Sequence, residues 1–401
     1  MKIGIVSEWF ERGSSYVTLQ YRGVLEKQGH EVFIYARSEN TFLGENLWSG
    51  KSVYVGKFRS MPFGKPIDKK DFIKWLAQNR IEAVIFNEQI WPLPVLWARK
   101  QNVLTIAYVD YYTKKSLNDF SVYDLLICNS KQHYEAFKWH PNAVYIPWGT
   151  DLEFFNQKPR NSRTVTFFHS SGWSPYRKGT DLVIKAFCEM NSQAKLIIHT
   201  QRNLTDFLGE NGIDTLNPKF SDIEFIEGSF PPPGLYHLGD VYVYPSRLDG
   251  IGLTQAEALA CGLPIIVPNV EPMRTFGNHG YSITCPVSKK WTREDDYYWP
   301  LSEIDFNSLC SSMKYFADNQ ELVDAWRSES RKWAEEHLDW SKNSARIGII
   351  ISNANRLKFQ NIRLIRFKIK HFDIFEVWRL VGFLWRLKMK ILTKVSSRSE
   401  V

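Results

Sequence analysis

Short apolar runs alternate with amphipathic stretches along most of this chain. In its N-terminal part, runs rich in Val, Ile, Leu and aromatic residues fall at 2–7, 31–36, 83–87, 103–109, 125–129 and 144–147. Between them, apolar positions recur at helical spacing over 16–28, 71–79 and 131–138. Strands that are apolar throughout, each followed by a helix, predict a parallel sheet covered on both faces. The polar stretch 156–163 has the composition of a linker. A second series follows, with strands predicted at 164–169, 195–200, 223–226, 241–244 and 264–268 and helices at 180–190, 253–260 and across 304–338. A chain of 401 residues exceeds what one core usually holds, so two domains are expected. The predicted class is α/β, two doubly wound Rossmann-like domains facing a cleft, with ligands at the carboxyl ends of the strands.

The richest stretch joins the strand at 241–244 to the helix at 253–260. Pro245 and Ser246 end the strand, a glycine-containing loop follows, and Gly262 and Pro264 close the helix. The start of such a helix offers unpaired amides and a positive dipole end, a favourable place for phosphate. Asp249 and Glu257 stand eight positions apart around it. Anion donors flanked by acids suit a nucleotide-sugar, with diphosphate on amides and hydroxyls on carboxylates. A plain strand–turn–helix with a helix-start Glu fits the spacing equally well.

The run from Leu238-Gly239-Asp240 through Pro264-Ile265-Ile266-Val267 resembles the donor-site signature of retaining glycosyltransferase family 4, the large GT-B group. In that family an acid, seven other residues and a Glu precede a small-residue helix and Gly-x-Pro. Asp249 stands where the family usually has Glu; it is one methylene shorter and keeps the charge. The segment 145–155 resembles the family's interdomain segment, Lys178-Gly179-Thr180-Asp181 its phosphate-binding lysine turn, and Gly29-His30-Glu31-Val32 the end of its first helix. The resemblance covers roughly 1–345. It implies that Lys178 holds the diphosphate, with Arg177 a second contact and Gly172 the loop glycine that admits phosphate. It further implies that Glu257 binds ribose hydroxyls, that Asp249 contacts the sugar, and that the amides of Ile251, Gly252, Leu253 and Thr254 face sugar and phosphate. Thr254 fits a helix cap as well. On the acceptor side, Gly13 and Ser14 stand where relatives have a glycine-rich loop. Relatives often place a His near the end of the strand at 103–109; here Asp110 stands there, suited to a sugar-contacting or base role or simply to ending a strand.

Charge is unevenly spread. Of 51 Lys/Arg and 43 Asp/Glu, twelve and three fall from Arg356 onward, so that segment carries +9 and the remainder −1. Within it, 373–394 has the pattern of a basic amphipathic helix with Trp, Phe and Leu on its apolar side. Such a helix suits an anionic membrane surface, though packing against protein fits the same pattern. No nucleic-acid-binding module is recognisable, and nucleic acid is not expected as a partner. Five scattered cysteines without a Cys-x-x-Cys pair point to reduced thiols. No metal-ligand set is evident, and neither a signal peptide nor a spanning helix is expected.

The expectation is therefore an N-terminal acceptor domain over 1–155, a donor domain over 156–338, a crossover helix over 339–357 and a basic tail over 358–401. The chain is expected to be a metal-independent hexosyltransferase with no cofactor beyond its nucleotide-sugar co-substrate. It would act on a glycan or lipid-linked acceptor in cell-surface polysaccharide or glycolipid synthesis, in the cytoplasm at the inner face of the membrane. Two rivals are a sugar-nucleotide-binding or scaffold relative with impaired catalysis, and a nucleotide-sugar epimerase on the same fold.

Overall fold

The computed structural model describes residues 1–10, 12–37, 48–57, 67–89, 91–160 and 164–358. Its first sheet contains β1 (Lys2–Ser7), β2 (Glu31–Ala36), β3 (Val53–Val55), β4 (Ala83–Asn87), β5 (Leu104–Tyr108), β6 (Leu125–Cys128) and β7 (Ala143–Tyr145), in the order β3-β2-β1-β4-β5-β6-β7. The second contains β8 (Thr166–Gly172), β9 (Lys195–Thr200), β10 (Ile223–Glu227), β11 (Val241–Val243), β12 (Ile265–Pro268) and β13 (Ile283–Cys285), in the order β10-β9-β8-β11-β12-β13. Both sheets reverse direction beside their first strand, so both are doubly wound, as predicted. Central strands are buried along their length, β4 and β5 without an exposed residue. This is why continuous apolar runs marked them in the sequence.

Four strands escaped the periodicity reading. β3 is only three residues long, and β13 is equally short. The other two form an antiparallel hairpin of β14 (Val287–Trp291) and β15 (Leu301–Ile304), whose polar Val-Ser-Lys-Lys-Trp strand carries no apolar run. The stretch expected to be helical over 304–338 is two helices, Phe306–Asp318 and Gln320–His337.

The chain divides into two compact units, Met1–Tyr108 with Ser116–Leu126 and the residues from 347 on, and Val109–Lys115 with Ile127–Arg346. In the first unit, the buried pair Arg99–Asp124 anchors the last described residues: Arg99 donates to the Leu357 carbonyl (2.6 Å) and the Leu357 amide donates to Asp124 (2.9 Å). Helix Ile347–Asn353 belongs to the same unit, and its Gly348 amide donates to Gln28 Oε1 at 2.8 Å. The basic tail, apart from Lys358, lies outside the described residues. Among the described residues, no helix is long and apolar enough to cross a membrane.

In the second unit, the core gathers Phe167, Phe187, Ile198, Val243, Ile266, Leu309 and Phe316 between sheet and helices. Buried His169 sits between neighbouring strands, with Nδ1 2.8 Å from the Val243 carbonyl and Nε2 2.8 Å from Thr180 Oγ1. Burial pushes its pKa down to about 4, so the ring is neutral, donating from Nδ1 and accepting at Nε2. Arg247 locks the strand ends together: it forks onto both carboxylate oxygens of Asp181 (2.7 Å each), reaches Glu303 (3.0 Å), and its amide donates to the Arg177 carbonyl (2.7 Å). Gly179, at φ 74°, lets the turn after β8 lie directly on the Pro245 carbonyl, into which a Cβ would run. Gly179→Ala is therefore expected to lower stability by about 2–4 kcal/mol in urea denaturation. An unchanged midpoint would show that Pro245 does not constrain this turn.

Candidate functional site

In a doubly wound sheet, the crevice for a ligand opens where the strand order reverses, beyond the carboxyl ends of the strands on either side. In the second sheet those strands are β8 and β11, and both motif segments leave from them. After β8, which ends on Gly172 at φ 52°, the chain makes a one-turn helix, Pro175–Lys178. Lys178 thus sits on a helical turn rather than in a loop. After β11 come Tyr244, Pro245 and the turn that carries Asp249.

The two segments meet through charge. Lys178 Nζ lies 2.8 Å from Asp249 Oδ2, and the Tyr244 hydroxyl bonds both partners. Burial pulls the ammonium down to about 8, partly opposed by Asp249. Burial alone would raise the Asp249 carboxyl, yet Lys178 and Arg177 and the bonds from Lys178 and Tyr244 hold it far below the usual carboxylate range. At neutral pH the pair is an ammonium and a carboxylate, and Tyr244 stays a phenol because burial and Asp249 push its pKa well up. Arg177 supplies field rather than contact: its Nη1 donates to the Leu248 carbonyl at 3.0 Å.

Asp249 also organises the helix start. Its Oδ1 accepts from the amides of Gly250 (2.8 Å) and Gly252 (3.3 Å), so the Gly252 amide, expected to face a ligand, is taken by the short side chain of its own turn. Helix Leu253–Ala260 begins after Gly252, whose φ of 88° only glycine adopts easily. The amides of Leu253 and Thr254 find no acceptor among the described residues. Thr254 does not cap this helix; its side chain is turned toward the Tyr242 hydroxyl. One turn on, the Tyr236 hydroxyl donates to Glu257 Oε2 at 2.6 Å, and burial raises the Glu257 carboxyl to about 7. The site therefore combines a buried cation, a firmly ionised acid, an acid poised near neutrality and two open amides. That set can bind an anion beside a polyhydroxyl group.

The remaining predicted residues fall in two places. Asp110, in the second unit, leans on the same turn: its Oδ1 is 2.6 Å from where a Cβ on Gly250 would sit. The hairpin holds that segment, with the Tyr297 hydroxyl donating to the Asp110 carbonyl (3.1 Å) and Tyr111 stacked on Tyr297. Gly13 and Ser14 belong to the first unit and open helix Gly13–Lys27, a turn earlier than periodicity suggested. They lie at that sheet's own point of reversal, where Asn87, the last residue of β4, donates to the Ser14 carbonyl (2.8 Å) and to Thr18 (2.9 Å).

Sequence reasoning missed Tyr244, Tyr236 and His133. The alternation of Tyr242 and Tyr244 was a usable signal, since residues two apart share one strand face, and the rings do stack at 5.5 Å. His133 is buried, its pKa held to about 4 by burial, and it lies against the Gly250 backbone. Trp299 donates to the Tyr112 hydroxyl (2.7 Å), which is 3.0 Å from His133 Nδ1 and donates to it. Nothing local in the sequence ties His133 to this turn. Among the described residues, no group of three or more His, Cys, Asp or Glu could hold a metal ion.

Residues 163–291 match the family model of the glycosyl transferases group 1. Over 314 residues the chain is 21% identical to the UDP-N-acetylglucosamine–peptide N-acetylglucosaminyltransferase GtfA subunit of Streptococcus pneumoniae, covering 69% of this chain and 58% of that protein. The chain thus spans little more than half of that relative. Among solved structures, Anabaena HepE in complex with UDP and glucose superposes with a TM-score of 0.68 at 16% identity, over 88% of this chain and 99% of that one. The pneumococcal O-GlcNAc transferase GtfA with UDP and GlcNAc gives 0.68 at 12% identity over the same shares. These likenesses establish the GT-B fold that the motifs predicted.

The raised Glu257 carboxyl has a signed consequence. Its folded pKa exceeds the unfolded value, so the folded state binds the extra proton and stability falls as pH rises from about 4.5 to about 7. Glu257→Gln should therefore raise thermal stability at pH 8, by about 1–3 kcal/mol, and change it little at pH 4. Equal melting shifts at both pH values would show that the carboxyl ionises freely.

Proposed function

We propose, from a GT-B chain whose residues 163–291 match the group 1 glycosyl transferases, that this protein is a glycosyltransferase drawing on a nucleotide-sugar donor. In the finer reading it is retaining and metal-independent and moves a hexose-type sugar onto a glycan or lipid-linked acceptor. The observation that carries the proposal is the meeting of Lys178, Asp249 and Glu257 with the open amides of Leu253 and Thr254 at one sheet reversal. The donor diphosphate takes the Lys178 ammonium and those amides, the ribose hydroxyls bond Glu257, and Asp249 turns to the sugar hydroxyls. As the bond from the anomeric carbon to the diphosphate breaks, Lys178 meets the charge that develops on the leaving oxygen. The acceptor oxygen attacks from the face the diphosphate vacates, and its proton ends on the departing phosphate. Asp110, against Gly250, is placed to contact the sugar or the acceptor.

The relatives above were solved with UDP, so UDP-sugars head the donors to test, followed by GDP-, dTDP- and ADP-sugars. With full-length protein in EDTA, one donor should bind and slowly release its nucleotide. Glu257→Ala should weaken donor binding at least about tenfold, and Lys178→Ala should cut turnover by about 10²–10³. Normal activity in both variants would refute the assignment.

A binding protein without turnover is the second reading. It is favoured by one observation: Asp249 is already saturated by Lys178, Tyr244 and two amides. Tight donor binding with no nucleotide release in the presence of any acceptor would establish it.

The tail sequence supports a place at the cytoplasmic face of a membrane, where a lipid-linked acceptor would be found. Removing residues 358–401 should release the protein from anionic liposomes in a sedimentation assay; equal pelleting of both forms would end the membrane reading.

A further inference from the structure

A cavity of about 600 Å³ lies within the second unit, and none of Lys178, Asp249 and Glu257 lines it. Its size is that of a small-molecule site. One wall is the helix Lys131–Phe137, which contributes Lys131 and Gln132; another is the hairpin, which contributes Lys290 from β14 and Trp299 from its loop. Tyr145 of β7 and Arg274 complete the lining that matters here.

The charges around it are not equivalent. Arg274 is paired with Glu271 at 3.0 Å. Lys131 and Lys290 have no carboxylate partner among the described residues, and they stand on different walls. Gln132 is 5% exposed, yet its amide nitrogen has no acceptor among the described residues, an arrangement that costs free energy unless something supplies one. Trp299 has spent its single N–H on Tyr112, so it has only ring surface to offer, and Tyr145 adds a second aromatic ring. The two carboxylates in the lining are engaged, Glu135 by Lys138 and Glu271 by Arg274, so the groups left to a ligand are donors, the Lys131 and Lys290 ammonium groups and aromatic surface. Two lysines carried by separate elements suit single acid groups spaced along a ligand better than one compact diphosphate. They match single acid groups carried along a chain of sugar rings, whose apolar faces stack on aromatic side chains.

We propose that this cavity is a second carbohydrate site, specific for an acidic glycan with carboxylate-bearing sugars. It goes beyond the transfer reaction, because it is read by binding alone and draws on Lys131, Gln132, Lys290 and Trp299 and not on Lys178, Asp249 or Glu257.

The test takes full-length protein and a galacturonate tetramer, with the neutral galactose tetramer as control, and follows tryptophan fluorescence and titration calorimetry. The acidic tetramer should bind at least about tenfold tighter than the neutral one. Lys131 and Lys290 are exposed, so Lys131→Ala/Lys290→Ala should fold normally; it should lose about tenfold in affinity for the acidic tetramer while binding nucleotide-sugar unchanged. Equal binding of the two tetramers, or undiminished binding by the double variant, would overturn the proposal. So would displacement of the tetramer by inorganic phosphate or uridine monophosphate at matching affinity, which would mark a plain anion or nucleotide site.

Discussion

An ammonium and a carboxylate removed from water are each tolerable only while they have each other, and the second unit is arranged to keep Lys178 and Asp249 together. Several features serve that end. Gly179 allows the lysine turn to press on Pro245, Arg247 ties the two strand ends through Asp181 and Glu303, and Tyr244 bonds both members of the pair. Removing either charge leaves the other buried and uncompensated. Any anion that draws Lys178 from Asp249 must therefore repay that separation, which favours ligands carrying hydroxyls for the acid along with phosphate for the amine.

The same sheet architecture is used twice, with different chemistry at each reversal. In the first unit, Asn87, Thr18 and the Ser14 carbonyl knit the reversal together with neutral hydrogen bonds, and charged groups stand there too: Arg12 pairs with Glu88 at 3.0 Å, and Arg37 donates to the Asn87 carbonyl at 2.9 Å and lies 3.9 Å from Glu8. In the second, the reversal holds a buried ion pair, an acid near neutrality and a helix start with open amides.

The hairpin gives the second unit something the two sheets do not. Its loop lays Tyr297 and Trp299 on the Asp110–Tyr112 segment, and through Tyr112 and His133 this packing reaches the back of the Gly250 turn. Asp110 and the hairpin thus belong to one local arrangement, with the buried His133 supporting the turn from behind, and the cavity beside it draws Lys290 and Trp299 from the same hairpin.

What the sequence determined by itself was whatever repeats locally. Parallel strands buried on both faces must be apolar throughout, so β1, β4, β5, β8 and β9 were visible, whereas β3 and the polar β14 were not. Spacing and resemblance likewise marked Lys178, Asp249 and Glu257, because a strand–turn–helix fixes which residues leave a strand end. The tertiary structure alone decided how those residues are spent: that Asp249 consumes the Gly252 amide, that Tyr236 and Tyr244 meet the two acids, and that burial lifts Glu257 to about 7. The physical reason is that hydrogen-bond partners and desolvation come from residues tens of positions away. No local pattern along the chain records them.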